Sequence, residues 1–123
     1  MVRRQLVSVV DDDESVRESL PDLLREFGYS VRTFSSAEEF LASDCVDDTK
    51  CLILDVVMPG MTGPDLEQKL RSRGPQIPII FITAQADETV RPRSLELNSV
   101  ACLLKPFSDT ALLEALNAAF QVR

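Results

Sequence analysis

The chain has 123 residues, enough for one domain and too few for two of ordinary size. Its 45% hydrophobic and 27% charged residues suit a folded globular chain and argue against disorder, and no apolar run approaches the ~20 residues of a transmembrane helix. Acidic residues number 20 against 13 basic ones, a formal net charge of −7, so phosphates would repel the domain and no nucleic-acid binding through it is expected.

The first predicted element is a strand, Leu6–Val10. The basic start before it resembles a signal peptide, but the apolar stretch runs straight into Asp11-Asp12-Asp13-Glu14, which no signal peptide does. The expected address is therefore the cytoplasm, with no membrane partner. A helix follows, with Val16, Leu20, Leu23, Leu24 and Phe27 on one face and Gly28 as its stop. Pro21 falls inside it and predicts a kink or a shortened helix. The second strand, Val31–Phe34, alternates and is weaker. Ser36 reads as the N-cap of a second helix with acid in its first turn. The stretch Ser43–Lys50 is polar and expected to be an exposed loop. The third strand, Cys51–Leu54, ends at Asp55. Gly63-Pro64 opens a third helix and Gly74-Pro75 closes it. A fourth strand, Ile79–Ile82, precedes a fourth helix interrupted by Pro92. The fifth strand, Ala101–Leu104, leads to a last helix opened by Ser108-Asp109, with Leu112, Leu113, Leu116 and Phe120 as its buried stripe.

This alternation predicts an α/β fold with a doubly wound, five-stranded parallel sheet and helices on both faces. Ligands of such sheets gather at the carboxyl ends of the strands. Those ends carry Asp11-Asp12-Asp13, Asp55, Thr83 and Lys105-Pro106. Taken singly, each has a plain structural role: a helix cap, a polar loop, a β-branched strand residue, a surface charge. Their concentration on one edge points to a site instead. The chain has no histidine, and its three cysteines (Cys45, Cys51, Cys102) lack C-x-x-C spacing. Catalytic triads, histidine–metal centres and zinc ribbons are thereby excluded, as is a complete disulfide framework. Clustered carboxylates need a cation, and an all-oxygen set favours Mg²⁺, or Mn²⁺, over zinc. An amine and a hydroxyl suit phosphoryl oxygens. No Gly-rich nucleotide loop is present, and a carboxylate can itself act as nucleophile to give an aspartyl-phosphate. Asp55 is the best candidate.

Four segments, Val9–Asp13, Leu54–Gly63, Ile82-Thr83-Ala84 and Leu104–Phe107, resemble the receiver domain of two-component response regulators. The likeness runs from Leu6 to about Phe120 and is strongest toward the FixJ-like group. It implies the flavodoxin-like, CheY-like (βα)5 three-layer sandwich with strand order 2-1-3-4-5. It also implies that residues 1–123 form a single receiver domain, a regulatory phosphoacceptor rather than an enzyme, with any output domain outside this chain. By position, Asp55 matches the phosphoacceptor charged by a sensor histidine kinase. Asp11, Asp12, Asp55 and the Val57 backbone carbonyl match the Mg²⁺ ligands. Thr83 and Lys105 match the groups that meet the phosphoryl oxygens, and Asp13 is left to cap the first helix. The resemblance further implies a cis Lys105-Pro106 peptide and a face of the fourth helix, fifth strand and last helix that dimerises or docks a partner to control an output such as transcription. This chain's departures there make any homodimer through it a weak one. On that face the chain departs from the family: Cys102 stands where an aromatic residue is usual, Asn98-Ser99 lacks the usual glycine, and Pro92 interrupts the helix. A haloacid-dehalogenase phosphatase also uses an aspartyl-phosphate with Mg²⁺. Its nucleophile lies on the first strand, however, and an acid pair follows its lysine; this sequence has neither the pair nor the length for a cap.

Overall fold

The computed structural model describes residues 4–74, 77–84 and 99–121. The strands are β1 (Leu6–Val10), β2 (Ser30–Phe34), β3 (Thr49–Asp55), β4 (Ile79–Thr83) and β5 (Ser99–Leu104). All pair in parallel, in the order β2-β1-β3-β4-β5. The helices are α1 (Glu14–Glu26), α2 (Ala37–Ala42), α3 (Gly63–Arg73) and a last helix, Asp109–Gln121. The predicted fourth helix, with Pro92 and Asn98, lies outside the described residues, as does Pro75.

Two apolar layers enclose the sheet, and the period of two in a strand decides which residue enters which. Val7, Val9, Cys51, Ile53, Ile80 and Ile82 pack against Leu20 and Leu24 of α1 and against Leu112 and Leu116 of the last helix. The alternate residues Val10, Leu52, Leu54 and Phe81 pack against Phe40 of α2 and Leu66 and Leu70 of α3. Covered on both faces, β1, β3 and β4 are almost wholly buried, whereas the edge strand β2 buries only Phe34 fully. That is why the second strand alone reads as a broken alternation.

Helix ends follow local chemistry. Asp13 caps α1, its carboxylate accepting from the Ser15 backbone N–H at 3.0 Å. Ser36 caps α2 and accepts from the Glu39 N–H. Thr62 and Asp65 form a reciprocal capping box on α3. Gly28 and Gly74 end α1 and α3 at φ of 101° and 111°, angles that side-chain-bearing residues rarely adopt.

Three expectations need correction. Helix α1 is not shortened at Pro21 but runs on to Glu26, the proline forgoing one helical hydrogen bond while its ring packs into the buried face. In the last helix Leu113 is 37% exposed, while Ala115 and Ala119 join Leu112 and Leu116 inside. At 100° per residue Leu113 sits off the stripe that Leu112 defines. The stretch Ser43–Lys50 is not simply an exposed loop, because Cys45, Val46 and Thr49 are buried and β3 already begins at Thr49. The Thr49 hydroxyl satisfies itself inside, donating to the Cys45 carbonyl at 2.7 Å and contacting Ser8 Oγ at 2.7 Å.

Gly63 is where the fold is tightest. Its N–H donates to the Val56 carbonyl at 3.0 Å. A Cβ there would run into the Asp55 carbonyl oxygen and lie 3.0 Å from Val56 Cα. Because the obstruction is backbone, no rotamer can relieve it. Gly63→Ala is expected to destabilise the protein by about 3 kcal/mol, the upper end for overpacking, measured as the shift of the urea midpoint.

Candidate functional site

The site lies where β1, β3 and β5 deliver their next inward residue. Val7 and Val9 of β1, Cys51 and Ile53 of β3, and Ala101 and Leu103 of β5 all face the layer under α1 and the last helix. One step of two further along each row comes Asp11, Asp55 or Lys105. Register aligns the row ends: Val10 pairs with Leu54, and Thr83 pairs with Leu104. The Lys105 N–H then continues the β4–β5 ladder by donating to the Thr83 carbonyl at 2.8 Å. Thr83 itself ends β4 and is buried.

This geometry brings the sequence candidates together. Carboxylate oxygens of Asp11, Asp12 and Asp55 lie within 4.8 Å of one another. Asp11 is fully buried, Asp55 nearly so, and Asp12 is exposed. Lys105 Nζ stands 2.8 Å from Asp11 Oδ2 and 3.8 Å from Asp55 Oδ2. Asp13 stays outside the cluster as the helix cap, as expected, and its bonds from Ser15 hold its carboxyl below the usual range. The Lys105-Pro106 peptide is cis, also as expected. Val57 follows in the loop after β3 with an exposed side chain.

Electrostatics at the cluster is strained. Burial, and then the Asp11 carboxylate, push Asp55 up to about 7, with Lys105 opposing only part of the rise. Burial works against the Lys105 ammonium too, yet Asp11 and Asp55 together hold it above its ordinary value. Asp11 Oδ2 is buried, and the Lys105 ammonium 2.8 Å away is its ionic partner. Three clustered hard oxygen donors fit a small divalent cation such as Mg²⁺.

Several supporting residues escaped the sequence. The Arg17 guanidinium donates to the Asp11 backbone carbonyl at 2.8 Å. The Asp13 N–H donates to Asp11 Oδ1 at 2.9 Å. Glu38 accepts from the Met61 N–H at 3.3 Å and so ties α2 to the loop after β3. Nothing in the sequence separates Arg17 or Glu38 from ordinary charges on a solvated helix face. Gly63 reads as a helix opener, and its close approach to the Asp55 peptide appears only in three dimensions.

The raised Asp55 has a consequence for stability. Unfolded, its carboxyl returns toward 3.8. Between about 4 and about 7 the folded chain therefore holds a proton that the unfolded chain releases, so metal-free stability falls as pH rises across that window. Urea titrations in EDTA are expected to show this decline, and Asp55→Asn is expected to flatten it.

The response regulator receiver domain family matches residues 7–117. Nodulation protein W of Bradyrhizobium diazoefficiens is 44% identical over 116 residues, covering 94% of this chain and 51% of that protein. Transcriptional regulatory protein TdiR of Thauera aromatica is 42% identical over 113 residues, covering 92% of this chain and 50% of that protein. The crystal structure of FixJ-N superposes with a TM-score of 0.87 at 34% identity, covering 99% of this chain and 98% of that one. The chain thus spans about half the length of the curated relatives it matches. A fold, an ordered set of motifs and a family match over nearly the whole length agree: the chain belongs to the response regulator receiver domains of two-component signalling.

Proposed function

We propose that Asp55 is the phosphoacceptor of this receiver and takes a phosphoryl group from a phosphohistidine of a sensor histidine kinase. What carries this reading is the position of Asp55 on the central strand, buried beside an acid pair and 3.8 Å from an ammonium. In the transfer, Asp55 Oδ attacks phosphorus, the P–N bond to the imidazole breaks, and the imidazole leaves with the bonding pair. Asp11, Asp12, Asp55 and the Val57 carbonyl would hold Mg²⁺, with Mn²⁺ as a substitute. The cation supplies charge neutralisation between the carboxylates and the phosphoryl oxygens. Lys105 is released from Asp11 to pair with a phosphoryl oxygen, and the Thr83 hydroxyl donates to another.

The kinase needs a surface beside Lys105, and a groove of about 680 Å³ opens there between α1 and the turn after β5. Val16, Leu20, Leu23 and Phe107 give it an apolar floor, with Asp13, Asp22 and Glu26 along the rim. We assign this groove to a kinase helix that presents the phosphohistidine. Charging at Asp55 is read out on the face of β5 and the last helix, where β5 ends in the exposed Leu104, through a weak homodimer. Output is regulation of transcription, in keeping with the named function of TdiR.

Two measurements test this. Incubation with a small acyl phosphate and Mg²⁺ is expected to add one phosphoryl group by intact mass. Both Asp55→Asn and excess EDTA are expected to abolish it; label that survives either excludes the assignment. Leu23→Arg is expected to slow transfer from a phosphorylated sensor kinase at least tenfold while leaving labelling by the acyl phosphate unchanged. Equal loss from both donors would place the kinase elsewhere.

A further inference from the structure

Asp11 is held at four points. Its N–H donates to the Phe34 carbonyl at 3.1 Å, and its Oδ1 accepts from the Asp13 N–H at 2.9 Å. Its Oδ2 faces Lys105 at 2.8 Å, and its backbone carbonyl accepts from Arg17 Nη1 at 2.8 Å. Arg17 sits on the second turn of α1, and its own N–H donates to the Asp13 carbonyl at 3.2 Å. That backbone bond is the ordinary first bond of α1, whereas the side chain reaches back across the three-acid turn to Asp11.

Under the reading above, Lys105 leaves Asp11 when the phosphoryl group arrives. The bond from Arg17 is of a different kind. It goes to a carbonyl on the turn's backbone and carries a fixed positive charge. An arginine remains charged throughout and presents a planar fork, so it can hold a buried carbonyl in one direction. We infer that Arg17 is a positioning residue for the divalent-cation site, holding the Asp11–Asp13 turn so that the Asp11 and Asp12 carboxylates converge on Asp55. The nearby positive charge works against cation binding, so removal of Arg17 separates the two effects by sign. Positioning predicts weaker cation binding in its absence, whereas simple charge repulsion predicts tighter binding.

The inference rests on the proposed Mg²⁺ site, and the test keeps the two apart. Mg²⁺ and Mn²⁺ are titrated into the wild type, Arg17→Met and Arg17→Lys, with amide exchange of Asp13 measured in EDTA. Arg17→Met is expected to lower divalent affinity about tenfold, the lower end for loss of an outer-shell partner. It is also expected to speed exchange at the Asp13 amide. Arg17→Lys, which retains a donor and a charge, is expected to recover part of both and serves as the variant to read if Arg17→Met does not fold. Unchanged or tighter divalent binding in Arg17→Met would overturn the inference whatever the Asp13 exchange, even with a lower melting temperature. A wild type that binds neither cation would overturn the proposed site and the inference with it, whereas a wild type that binds while Arg17→Met binds equally well would overturn the inference alone.

Discussion

Three carboxylates confined within 4.8 Å of one another repel unless something positive stands among them. In this domain that constraint organises the whole carboxyl edge of the sheet. Lys105 supplies part of the compensation, while burial first and the Asp11 charge second push Asp55 up to about 7. An arrangement of this kind suits the divalent cation and the phosphoryl group proposed for the site. The fold accordingly holds its acids in a geometry that is unfavourable without a ligand. Such strain is supportable because β1, β3 and β4, buried on both faces, fix the backbone from which the acids project.

The pleat does the positioning. Because alternate residues enter opposite layers, a chain with apolar residues at Val7 and Val9, Cys51 and Ile53, and Ala101 and Leu103 must project its next odd-numbered residues on the same side. Asp11, Asp55 and Lys105 are those residues. Thr83 belongs to the opposite row, after Phe81, and so approaches the site from the other layer. A one-residue slip in any strand would exchange a functional group for its neighbour. The geometry of the acid–lysine cluster and the packing of the core are thus specified by the same register.

Much of this was legible before any coordinates. The strand cores at Leu6–Val10 and Ile79–Ile82, the caps Asp13 and Ser36, the stop at Gly28 and the convergence of Asp11, Asp12, Asp55 and Lys105 follow from period, cap chemistry and strand ends. Polar strand ends were less visible. Ser30, Thr49 and Ser99 extend their strands, because a backbone ladder continues regardless of side-chain polarity. Leu113 and the Cys45-Val46 pair were misplaced because hydrophobicity does not report direction. The roles of Arg17, Glu38 and Gly63 depend on contacts between elements, which a linear pattern does not encode.

The two buried cysteines sit on opposite sides of the sheet. Cys51 belongs to the layer beneath α1, and Cys45 to the layer beneath α2 and α3. A β-sheet between them prevents the close approach a disulfide requires. Burial also pushes the Cys51 thiol up to about 12, so essentially no thiolate is present at neutral pH. Folding thereby protects Cys51 from oxidants and alkylating reagents by two means at once, depriving it of both access and nucleophilicity. Its chemical reactivity becomes a property of the unfolded chain, and a thiol probe reaching Cys51 counts openings of the sheet's centre.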